Sequence, residues 1–130
     1  MEFISAEEFL KEDKEVQKVF IDWWKPSIGD LFKYNYGYSN IEIINLKSIK
    51  EDTEKSKYSA HIIPLLTEGQ LRKFIEDKIK EKLRITPTTV GYKISYLYDY
   101  ELINVYAEED NLLQAYWKVA VQIAKGSIDN

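Results

Sequence analysis

The chain has 130 residues, 45% of them apolar, a net charge of −4 and no cysteine. That length and apolar content suit one compact domain spanning 1–130, and the missing cysteine excludes disulfides and thiolate metal sites. The acidic opening MEFISAEEFLKEDKE lacks the basic and apolar regions of a signal peptide, and no run approaches the ~20 apolar residues of a membrane span, so a cytoplasmic protein is expected.

In chain order, Ser5 with Glu8 three residues on forms a capping-box pattern that predicts a first helix. A second helical stretch follows Asp13, with Val16, Val19, Phe20 and Trp23 on its apolar stripe and Trp24 at the stripe's edge. Pro26 forces Lys25 out of helical angles, Gly29 permits a tight turn, and Asp30 suits a turn carboxylate that accepts local backbone bonds. Two β-rich segments, 30–36 and 40–47, come next. KSIKEDTEKSK, poor in apolar residues, reads as a loop.

YSAHII predicts a third strand ended by Pro64, and Thr67 with Gln70 repeats the capping pattern. Leu71, Ile75, Ile79 and Leu83 predict an amphipathic helix, broken by ITPTT. VGYKISYLYD and YELINVYA predict a hairpin through Asp99. Tyr92, Ile94, Tyr96 and Tyr98 alternate onto one face of that hairpin, which suits a face covered by helices. A last helix near 109–125 carries Leu113, Tyr116, Trp117, Ala120, Ile123 and Ala124, with Gly126 placed as a C-cap. The order α-β-β-β-α-β-β-α predicts an α+β fold, a mainly antiparallel sheet of about four to five strands packed by about three helices.

WWKPSIGDLF, IIPLLTEGQLRKFIEDKI and EEDNLLQAYWKVAVQIAKG, taken in that order, resemble small uncharacterised proteins of bacteriophages and prophages, mainly of Gram-positive hosts. Those proteins similarly pair a W-x-P-x-x-G-D turn with a P-L-x-T-x-x-Q-L helix start and an alanine-spaced terminal helix. The resemblance implies an α+β fold and an accessory role in the infected or lysogenic bacterial cell. It implies no activity.

The residues themselves offer little catalytic chemistry. His61 is the single histidine, and its β-branched surroundings suit a strand histidine better than a proton carrier or ligand. Glu108, Glu109 and Asp110 can in principle join Asp99 or Glu101 around magnesium, but acids at a helix start have a simpler role in capping it. No catalytic residue, metal or cofactor is therefore assigned. Binding to another macromolecule, foremost a protein, is the expected function. The aromatics least explained by core periodicity are Trp24, Tyr34, Tyr36 and Tyr38, which form the expected interaction patch.

Nucleic acid is the alternative partner. Residues 72–84 hold 6 basic and 3 acidic groups in an otherwise acidic chain, so Arg72, Lys73, Lys80 and Arg84 on a basic helix can meet phosphates while sheet tyrosines stack on bases. Against this, Arg72, Glu76 and Lys80 are spaced four apart, as are Lys73 and Asp77, so the helix can neutralise much of its own charge.

Overall fold

The computed structural model describes residues 2–36, 40–58, 61–107 and 111–128. Across them the protein is α+β, with five helices and two three-stranded antiparallel sheets. The chain divides into two compact units, Ser5–Leu66 and Thr67–Asn130 together with Met1–Ile4.

In the first unit, α1 (Ala6–Leu10) begins where the Ser5 hydroxyl accepts the Glu8 N–H at 3.1 Å. α2 (Lys14–Trp23) buries Val16, Phe20 and Ile21, and Phe20 meets Phe9 edge-on with ring centroids 6.2 Å apart. The predicted rotation of α2 is corrected by its end. Trp24 donates its N–H to the Phe20 carbonyl but turns to an extended ψ of 120°, leaving the helical path one residue before Lys25–Pro26. That exit swings Trp24 into the core at 1% exposure, while Trp23 packs only partly buried against the same cluster.

Beyond the turn, β1 (Leu31–Tyr34) lies between β2 (Glu42–Ile43) and β3 (Ile62–Pro64). Phe32 opposes Pro64, Leu31 opposes Ile43, and Trp24, Phe32, Ile44 and Ile62 form the cluster beneath. The charged stretch expected to be a loop is instead α3 (Lys47–Ser56). Its inward stripe is thin: Ile49 is half-buried, Thr53 is buried, and Lys57, the C-cap, is buried too. Lysine and glutamate are good helix formers, so three inward positions spaced by four suffice to seat it.

In the second unit, α4 (Glu68–Ile79) opens with the predicted capping box between Thr67 and Gln70. It ends earlier than expected. Lys80 takes the left-handed conformation at φ 59°, and β4 (Arg84–Thr88) occupies the place assigned to a breaker. Leu83 is buried outside the helix, its N–H bonded to the Glu76 carboxylate at 3.0 Å. β5 (Gly91–Tyr98) and β6 (Glu101–Ala107) form the predicted hairpin, and the sheet runs β4-β5-β6.

α5 (Leu112–Ile128) continues through Gly126 instead of stopping there. A methyl group on Gly126 would lie 3.4 Å from the Tyr98 hydroxyl, at the edge of ordinary contact. α4 and α5 cover the sheet face that carries Ile94, Tyr96 and Val105, each at most 6% exposed. The structure therefore has more helices and strands than the eight-element order predicted, and two small sheets in place of one.

Candidate functional surface on the second sheet

Trp24 does not join the expected aromatic patch. Trp24 is buried, and its indole N–H donates to the Asp30 carboxylate at 3.0 Å, which also accepts the Ser27 N–H. The Lys57 ammonium caps the Trp24 carbonyl at 2.8 Å from a buried position. The W-x-P-x-x-G-D segment is thus a helix stop over a core, with Asp30 in the turn role expected of it. Tyr34 is half-buried between Phe32 and Tyr36, with ring centroids 5.5 and 5.3 Å away, and burial first, then the nearby Tyr36 and Glu42, raises its hydroxyl pKa above 10.0. Tyr36 is exposed; Tyr38 lies outside the described residues.

The basic set separates as well, because 72–84 is not one helix. On α4, Arg72 pairs with Glu76 at 3.6 Å, and Lys73 pairs with Asp77 at 3.4 Å. Lys80 is the exposed left-handed cap, and Arg84 stands on β4. The predicted self-neutralisation is present at those α4 pairs. The tyrosines expected to be covered are so: Tyr96 is 5% exposed, and Tyr92 and Tyr98 are half-buried. Tyr96 is therefore closed to a base on that side.

His61 is exposed in the turn before β3 at φ 52°, not within a strand, and its carbonyl accepts the Asn35 N–H. Glu108, Glu109 and Asp110 lie outside the described residues. Among the described residues no group of three His, Asp or Glu side chains could hold a metal ion, and no helix is long and apolar enough to cross a membrane.

What remains open is the other face of the second sheet. Strand alternation places Arg84, Thr86, Lys93, Ser95, Leu97, Leu102, Asn104 and Tyr106 there, and the register aligns Arg84, Ser95 and Asn104 in one row and Thr86, Lys93 and Tyr106 in the next. Leu97 opposes Leu102, giving an exposed apolar pair. A concavity of about 530 Å³ sits over this face, with Lys82, Arg84 and Lys93 as cations and Glu81 as its acid. At its floor the Ser95 hydroxyl donates to the Asn104 side-chain oxygen at 2.7 Å, which fixes the polar row. Basic groups, an amide and adjacent leucines on a rigid sheet can recognise a partner; nothing among them pairs a nucleophile with a base.

Sequence reasoning found Arg84 but missed the rest of this surface. The signal was the other half of the alternation already used for Tyr92 to Tyr98: Lys93, Ser95 and Leu97 had to face away from the helices. Comparisons with protein-family models, with curated proteins and with solved structures find no match.

Proposed function

We propose that this chain is a non-catalytic accessory protein of a bacteriophage or prophage, working in the host cytoplasm by binding a protein through the open face of its second sheet. The observation that carries the reading is the Leu97–Leu102 pair beside Arg84 and Lys93 over one concavity. Interface cores favour apolar groups and arginine, with a polar rim that sets orientation. The W-x-P-x-x-G-D resemblance supports the phage setting.

Tagged chain should capture a host or phage protein from infected lysate, and Arg84→Ala with Leu97→Ser should abolish capture while the melting curve stays in place. Capture that survives the double substitution would remove this face from consideration. Lys82, Arg84 and Lys93 around one hollow also favour nucleic acid as a second reading. A mobility shift with DNA or RNA that weakens steeply with salt would select it over the protein partner.

A further inference from the structure

The two edges of the second sheet are guarded differently. β4 carries Arg84 and Pro87, and a proline on an edge strand removes a donor and discourages pairing. β6 has no proline and a single charge, Glu101, at its start. Its side chains Leu102 and Tyr106 are 63% and 59% exposed, and among the described residues β5 is the strand paired to it.

The hairpin turn decides which backbone groups of β6 point outward. Asp99 and Tyr100 have φ of 53° and 66°, a two-residue turn of the I′ kind, which closes on the hydrogen-bonded pair Tyr98–Glu101. Bonded pairs then recur at alternate positions, so Glu101, Ile103, Val105 and Ala107 bond to β5. The N–H and C=O groups of Leu102, Asn104 and Tyr106 face away from it.

We infer that β6 pairs antiparallel with β6 of a second copy of this chain, about a two-fold axis at Asn104, joining two three-stranded sheets into one of six strands. In this register Asn104 exchanges both backbone bonds with the second copy's Asn104, and Leu102 does so with the second copy's Tyr106. All the outward groups are thereby paired. The register also keeps faces matched: Leu102 meets Tyr106 on the open face and Ile103 meets Val105 on the covered face, whereas a slip by one residue would set apolar covered positions against open ones. Glu101 falls opposite Ala107, so no like charges oppose each other along the strand. A self-complementary strand of this kind, with no like charges opposed, is what an isologous dimer requires.

Sedimentation of the full chain should give twice 15.4 kDa at about 100 μM. Asn104→Pro deletes an outward donor and the side-chain bond from Ser95 but no backbone bond to β5, and should weaken the dimer by about 100-fold or more with the circular-dichroism spectrum retained. Two charged chains test the register independently of that variant. Leu102→Lys with Tyr106→Lys, and Leu102→Glu with Tyr106→Glu, should each be monomeric alone and should associate when mixed. A wild-type chain that stays at 15.4 kDa overturns the inference, whatever else adds to the strand. So does a folded Asn104→Pro chain that dimerises like the wild type, or a failure of the two charged chains to associate on mixing.

Discussion

Trp24 carries more of the first unit than its neighbour does, since it fills the centre of the Phe32, Ile44 and Ile62 cluster and has its indole N–H satisfied by Asp30. Trp24→Ala should therefore lower stability by about 3–5 kcal/mol in denaturant titrations, and Trp23→Ala, at a half-buried site, should cost clearly less. Equal midpoint shifts would contradict the packing. Gly29 is a different kind of residue: a methyl group there meets nothing within 4 Å, but its φ of 98° is hostile to any side chain. Gly29→Ala should cost about 1–2 kcal/mol through backbone strain alone, read from the same titrations. The tryptophan pair was misordered in the sequence because a helical wheel describes residues inside a helix, and Trp24 leaves it. Asp30, whose bonds are local, was legible.

The β5–β6 turn has the backbone of a I′ hairpin but an aspartate and a tyrosine where asparagine and glycine are preferred. Tyr100 is fully exposed and loses little on truncation. Tyr100→Gly should accordingly stabilise the protein by about 1 kcal/mol, seen as a higher melting temperature. This hairpin was readable because eight-residue β-branched and aromatic alternation outweighs one unfavourable turn. α3 was not readable. Its burial rests on Ile49, Thr53 and Lys57, and a threonine and a lysine carry no hydrophobic signal although both are inward. The 72–84 stretch failed for a related reason. Lys80 ends α4 in a left-handed turn without a glycine to announce it, so Leu83 looked like the next residue of the stripe. Where spacing is set by a strong apolar period the fold is visible; where a polar side chain is buried for a local bond, it is not.

For the whole molecule, the buried tyrosines set an alkaline limit. Tyr96 has its pKa raised above 10.0 by burial and then by Tyr98; Tyr116 is raised by burial, partly opposed by Arg72. The folded state holds these protons more tightly than the unfolded chain does, so the contribution is fully present below pH 10 and is lost as pH rises beyond it. Urea midpoints should fall as pH rises above about 10, and Tyr96→Phe should make that fall shallower. On the acid side, Asp22 is held below 3.8 by its bonds from Lys18 and then Tyr58, so its contribution is present above that value and fades as pH drops through the lowered pKa. Being exposed, it supplies only a small part of any acid transition. The ammonium of Lys57 has another consequence. It is 6% exposed and bonded to the Trp24 carbonyl, with Glu54 at 3.6 Å, so an acylating reagent can reach it only when the first unit opens. Exposed lysines such as Lys18 and Lys73 will be acylated at the reagent's own rate, while the slow appearance of the Lys57 adduct times that opening event in the native protein.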